Sequence, residues 1–278
     1  MKKALWILIL TVGVTLSARV LAETGNCGPK DANGNYTDNC TYIYDEVNKT
    51  LTISGEGKMA DFGYLNDVPR GDTPWRYLDY ETLTIDEGIT SIGNNAFIDS
   101  KVKTAHLPDS LVSIGSTSFH QSRLQDINIP PHVTKIGAYA LSINSLSSIT
   151  LPEGLKEITP FMLYYTGITS LVIPSSVTSI DPQAFAYLDG SLPAPLTQIY
   201  CSEEQMAQCE AAVAYRGDNI QIKTYQSDGK GNYFFDNKWY ASPNDIIGDN
   251  HIKKRIYTID EATKVSKDTG NTFKLRYK

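Results

Sequence analysis

From Leu83 onward the apolar residues fall into columns that advance by 22 positions. The windows "LTIDEGITSIGNNAF" from Leu83, "AHLPDSLVSIGSTSF" from Ala105, "INIPPHVTKIGAYAL" from Ile127, "ITLPEGLKEITPFML" from Ile149 and "LVIPSSVTSIDPQAF" from Leu171 stack in one register. One column reads Ile85, Leu107, Ile129, Leu151, Ile173; a second reads Ile92, Ile114, Ile136, Ile158, Ile180; a third reads Phe97, Phe119, Leu141, Leu163, Phe185. Within a unit, alternation such as Ile149 and Leu151 predicts a strand with one buried face. Pro108, Pro130, Pro152 and Pro174 end that strand, because proline has no N–H for a ladder. A second short extended piece and a turn of helix, carrying the aromatic or leucine inward, complete the unit. One unit cannot bury this surface alone, so the units must stack into a solenoid.

A solenoid exposes core and strand edges at its ends unless something covers them. "CTYIYDEVNKTLTISGEG", Cys40 to Gly57, predicts a β-hairpin cap at the N-terminal end. After the fifth unit the register slips by six: Ile168 calls for a partner at 190, and the matching "LTQI" begins at Leu196, past the loop "DGSLPAP". "SEEQMAQCEAAVAYRG" then predicts a capping helix, with Ser202 as N-cap, Gln205 three residues later and Gly217 as the stop. Beyond Gln226, aromatic runs around Asp236–Asn237, a capping box at Thr258 and Glu261, and the alternating "TFKLRYK" predict a small ββαβ-like appendage.

These phrases resemble the BspA-type leucine-rich repeats of bacterial surface proteins. "IPSSVTSI" followed by "AF", the upstream "YDEVNKTLTISGEGKMADF" and "TPW" near Trp75 carry the likeness, over about Cys27 to Tyr225. The chain departs from the pattern at Ala105, at Leu141 and Leu163, and at Thr159 and Asp181, which stand where Gly93, Gly115 and Gly137 sit in other units. The expected fold is therefore a β-rich leucine-rich-repeat solenoid of 22-residue units with short helical turns. Its expected divisions are a signal peptide at 1–22, an N-terminal cap at 23–79, repeats at 80–200, a C-terminal cap at 201–225 and an α+β module at 226–278. Membership in that family implies adhesion to host proteins or to other cells.

Composition bears on the address. Lys2 and Lys3 precede the apolar "ALWILILTVGVTL", and "VLA" at Val20 to Ala22 supplies the small residues of a cleavage site, so the expectation is a secretory signal and no integral membrane segment after its removal. The formal charge is −6, and losing Lys2, Lys3 and Arg19 takes it to −9, which argues against nucleic acid as a partner. The four cysteines form two local pairs, Cys27 with Cys40 and Cys201 with Cys209. In an oxidising compartment disulfides are the first reading; three connectivities are possible and proximity favours the local one.

Candidate chemistry is sparse. His106, His120, His132 and His251 show no metal-ligand spacing, and no nucleophile-elbow or phosphate-loop motif occurs. "DANGNYTD", Asp31 to Asp38, mimics a calcium loop through Asp31, Asn33, Asn35 and Asp38 but lacks the closing glutamate. No catalytic residue, cofactor or metal site is expected. What remains is the outward strand face: Thr82 and Thr84, Thr104 and His106, Asp126 and Asn128, Ser148 and Thr150, Ser170 and Val172. Small polar side chains on a continuous sheet can hydrogen-bond an extended protein or glycan, although threonine and serine also suit outward strand positions when nothing binds. The leading expectation is a secreted or cell-surface binding protein whose partner is an extracellular or cell-surface protein or glycan. The alternative is a periplasmic envelope protein that holds cell-wall polymer through its C-terminal module.

Overall fold

The structure, a computed structural model, describes residues 22–63, 73–186, 195–216, 220–227, 232–236, 238–241 and 244–247. The predicted signal peptide therefore lies outside the described residues, apart from Ala22. So do the predicted appendage helix at Thr258 and the strand "TFKLRYK".

Strands β1 (Ala22–Asn26), β2 (Asn39–Asp45) and β3 (Thr50–Lys58) form an antiparallel trio. The β2–β3 hairpin pairs Asp45 with Thr50 and Asn39 with Glu56. Asp45 closes its turn by accepting the N–H groups of Val47 and Asn48. β3 is also the first rung of the solenoid. Its residues Thr50–Ile53 pair in parallel with β4 (Thr82–Ile85), while its other end pairs with β5 (Ile89–Ile92), Gly57 facing Ile89 and Lys58 facing Ser91 with a register shift between them. Gly55, at φ +121°, permits the bend, since a Cβ there would lie 1.6 Å from the Asn39 carbonyl oxygen.

From β3 two parallel ladders grow apart. One runs through β4, β6 (Thr104–His106) and β8 (Asp126–Ile127); the other through β5, β7 (Ser113–Ile114) and β9 (Lys135–Ile136). Beyond β4 and β5 every step of these two ladders is 22 residues, as in Thr82 with Thr104 and Ile114 with Ile136. Farther along, β10 (Glu157–Ile158) pairs with β12 (Ser179–Ile180), and β11 (Ser170–Val172) pairs with β13 (Gln198–Ser202). Ser170 faces Gln198, so the six-residue insertion is taken up between rungs without disturbing the ladder.

The third side of each unit departs from expectation. The sequence predicts a turn of helix, and the structure has turns whose N–H groups reach sideways. Asn95, Phe97 and Asp99 donate to the carbonyls of Ser116, Ser118 and His120 on the next rung. In each unit two residues four apart lie in the left-handed region, Asn95 and Asp99, Thr117 and Gln121, Tyr139 and Ile143, Phe161 and Tyr165, with φ between 51° and 58°. The turns so formed aim alternate N–H groups at the neighbouring rung, which a helix would direct along its own axis. Rungs approach closely here: a Cβ on Gly137 would fall 2.4 Å from the Ser116 nitrogen.

The main core among the described residues is one continuous cluster from Cys27 to Ile220. Trp75 belongs to the aromatic column, 22 residues before Phe97, and Tyr42, Trp75, Phe97 and Phe119 follow one another with centroids 5.2–5.5 Å apart. The Trp75 indole N–H donates to the Ala96 carbonyl at 2.8 Å. Buried polar side chains close the turns: Ser122 donates to the Phe97 carbonyl at 2.6 Å and Asn144 to the Phe119 carbonyl at 2.7 Å.

At the C-terminal end, helix α1 (Met206–Arg216) packs against β12, β13 and β14 (Gln221–Ser227). Gln205 ties its start to the last unit, accepting the Ser202 N–H and donating to the carbonyls of Pro174 and Val177. β14 is parallel to β13 and passes through residue 226 into an antiparallel pairing with β15 (Tyr233–Phe235), which pairs in turn with β16 (Lys238–Tyr240). A short helix α2 (Asn244–Ile247) follows.

Cys27 and Cys40 are joined, as expected. Cys201 and Cys209 are not: both are free thiols. They lie buried on β13 and α1 in hydrogen-bonding contact, which depresses the Cys201 thiol and pushes Cys209 up. Buried thiols of this kind pack as small apolar side chains.

Candidate binding face

Parallel pairing brings the outward residues into register. Thr82, Thr104 and Asp126 form one row, and Thr84 and His106 a second. The inward partners Leu83, Ala105 and Ile127 are buried. His106, Asp126, Asn128, Ser148 and Thr150 are exposed, and Thr82, Thr84, Thr104 and Ser170 are half-buried. Ser148 and Thr150 are exposed with Ile149 buried between them although no strand spans them, so the outward pattern continues past the end of the first ladder.

Two further residues extend the face. Thr50 and Thr52 on β3 stand opposite Thr82 and Thr84, giving a T-x-T pattern on two adjacent strands. The signal was present in the chain, because "TLTI" occurs at 50–53 and again at 82–85. A search at a period of 22 passes over it, since the spacing is 32.

Charged residues border the face just upstream of the strands. Asp79 bridges Lys49 at 3.3 Å and Lys101 at 2.5 Å, and Glu81 meets Lys103 at 2.7 Å. The ammonium groups of Lys101 and Lys49 hold the Asp79 carboxyl below the usual carboxylate range. The border is thus close to charge-neutral, and the face it frames offers hydroxyl, imidazole, amide and carboxylate groups.

Val172 does not belong to this surface. It is buried, and its neighbour across the ladder is Tyr200. A second apolar cluster of Val172, Tyr200, Tyr225, Tyr233, Tyr240 and Ile246 covers the outward side of the last rungs. The Tyr225 hydroxyl donates to the Ile173 carbonyl, and burial pushes its ionisation far above the usual tyrosine range. The physical reason is that the β15–β16 hairpin folds its aromatic residues over the sheet, so the outward position there needs an apolar side chain. Valine in a column of threonine, histidine and asparagine was the sign of it.

Other singled-out residues have structural roles. The Asp31 carboxylate accepts the N–H groups of Asn33 and Asn35 and the Asn35 side-chain amide, folding the loop between Cys27 and Cys40. Asp38 accepts the Lys58 N–H. Among the described residues no group of three His, Cys, Asp or Glu is placed to hold a metal ion, and no helix is long and apolar enough to cross a membrane.

This geometry, parallel short-strand ladders advancing every 22 residues, defines a leucine-rich-repeat solenoid. Residues 72–190 match the BspA type leucine rich repeat region in six copies. Trp75, 22 residues ahead of Phe97 and stacked on it, continues the aromatic column upstream of Leu83. Among solved structures, a leucine-rich repeat protein from Eubacterium ventriosum is similar over 66% of this chain and 45% of its own, at 24% identity and a TM-score of 0.52. The pneumococcal vaccine antigen PcpA is similar over 67% and 46%, at 16% identity and a TM-score of 0.46. The chain spans under half the length of either. No curated protein matches the chain.

Proposed function

We propose that the protein is a secreted or cell-surface binding protein, without catalysis, that attaches to an extracellular protein or glycan through the outward ladder. The observation that carries this reading is the register of Thr50, Thr82, Thr104 and Asp126, with Thr52, Thr84 and His106 alongside, on a sheet face left open. Among the described residues, the second aromatic cluster closes the same sheet side at its C-terminal end. A surface of this shape offers many shallow hydrogen bonds in place of one deep pocket, which suits an extended macromolecular partner. The β15–β16 hairpin and α1 serve as the cover of the last rungs, and the disulfide between Cys27 and Cys40 suits an oxidising destination.

The test is a double variant, His106→Glu with Asn128→Lys, which changes the face and leaves the inward columns intact. The wild type is expected to be retained on an array of extracellular-matrix and cell-surface components, and the variant to lose at least tenfold in affinity at an unchanged melting temperature. Equal binding by the two proteins would remove the ladder from the contact. Antibody labelling of intact cells checks the location, and protein confined behind the envelope would sink the surface assignment.

A further inference from the structure

Beside the turns of three successive units lies an open cleft of about 510 Å³ that shares no residue with the ladder. Asp99, Ser100, Lys101, Gln121, Arg123 and Ser145 line it, and Ile143 supplies its aliphatic patch. Its size falls within the range of about 300–1,000 Å³ common to small-ligand sites. We propose that this cleft binds an uncharged saccharide unit.

Three observations support a ligand. Ser100 is 2% exposed, and its Oγ has no hydrogen-bond partner. Its column mates are both satisfied, Ser122 on the Phe97 carbonyl and Asn144 on the Phe119 carbonyl, so the fold does not require an unpaired hydroxyl at this position. A buried polar group without a partner costs roughly 1–3 kcal/mol, and Ser100 stands in the wall of the cleft. Arg123 is the second observation. Its guanidinium is exposed, has no hydrogen bond or ion pair among the described residues, and stands on a backbone at φ 64° that its column mates Lys101 and Ser145 do not share. Strained backbone concentrates where a side chain is being held for a purpose.

The third observation is the donor set, which selects the class of ligand. Lys101 is bound to Asp79 at 2.5 Å, a carboxylate it shares with Lys49, and Asp99 faces the same cleft as Arg123, so the surplus is about one positive charge. In an open site one surplus charge is screened by salt within about 10 Å, and it gives only a weak pull on phosphate, sulfate or a uronic acid. A sugar hydroxyl both donates and accepts, and it needs carboxylate, amide and guanidinium groups together, as Asp99, Gln121 and Arg123 provide. The C–H face of the ring needs an aliphatic contact, which Ile143 offers.

The full chain is tested on a printed array of neutral hexose and N-acetylhexosamine oligosaccharides beside sulfated and uronic-acid ones. The expected result is retention of a neutral oligosaccharide that changes little between low and high salt. Affinity for that oligosaccharide, titrated in solution, is expected to fall at least tenfold in Arg123→Ala and in Ser145→Trp, which fills the cleft. Gln121→Ala, at an exposed position, provides a further variant should the tryptophan fail to fold. No retention, retention of charged sugars alone, or unchanged affinity in the folded variants overturns the proposal. His106→Glu with Asn128→Lys leaves this cleft untouched, so loss of the ladder's partner and loss of the saccharide are read separately.

Discussion

The rings of Trp75 and Phe97 stack with centroids 5.4 Å apart, one repeat period from each other along the chain. Trp75 therefore acts as the first aromatic of the solenoid core, and it is anchored by its bond to the Ala96 carbonyl. Replacing it with alanine removes a fully buried ring and leaves a cavity beside Tyr42, Phe62 and Phe97. Trp75→Ala is expected to lower stability by about 3–5 kcal/mol, measured from urea unfolding. Trp75→Phe, which keeps the stack, should cost less.

Close approach between rungs gives a second expectation. A methyl group at Gly137 would meet the Ser116 backbone at 2.4 Å, whereas at Gly154 the nearest atom is 3.3 Å away. Gly137→Ala should therefore destabilise by about 1–3 kcal/mol, and Gly154→Ala by clearly less, with melting temperatures as the comparison. Thr159 occupies the equivalent place one unit later, where its hydroxyl donates to the Ile136 carbonyl at 3.1 Å.

The covered end of the outward face separates two residues from one column. Val172 is buried under tyrosines, while Thr150 is exposed. Val172→Asp is expected to cost about 3–5 kcal/mol as an unpaired buried charge, and Thr150→Asp no more than about 0.5 kcal/mol. Similar unfolding midpoints for the two variants would show that the hairpin does not cover the sheet.

The bond between Cys27 and Cys40 closes a loop with a sequence separation of 13 and ties the leading segment to the β2–β3 hairpin. Cys40→Ser is expected to lower stability by about 3 kcal/mol through loss of that constraint on the unfolded chain. Protease cleavage near 31–37 should become faster in the variant than in the wild type, with fragment masses as the readout.

His120 sets a pH dependence. Its Nδ1 lies 2.6 Å from the Ser142 Oγ, and burial holds its imidazole below the usual histidine range against the opposing pull of Asp99. The unfolded chain then binds the proton more readily than the folded one. This contribution is complete above the ordinary value near 6.5 and is lost as pH falls below it. Melting temperature plotted against pH should decline below about 6.5, and His120→Gln should flatten that part of the curve.

Much of the architecture was legible because a solenoid repeats one problem. Each unit must bury the same columns, so Ile92, Ile114, Ile136, Ile158 and Ile180 announce their register without reference to distant contacts. The six-residue slip before Leu196 was readable for the same reason, and it reappears as the pairing of Ser170 with Gln198. The outward positions followed from strand alternation alone. Thr50 and Thr52 escaped because β3 joins the ladder at a spacing of 32.

Local periodicity, then, determined by itself which residues of this protein face inward and how far apart its rungs stand, since both depend on spacing within one unit. Tertiary structure decided what no single unit specifies. The lateral backbone bonds at Asn95, Phe97 and Asp99 turned a predicted helical turn into a third stacked side, because those N–H groups find better acceptors on the neighbouring rung than along their own chain. The folding of the β15–β16 aromatics over Val172 removed one rung from the open face. The cleft at Ser100 and Arg123 arises from three units that are 22 residues apart in sequence and adjacent only in the stack.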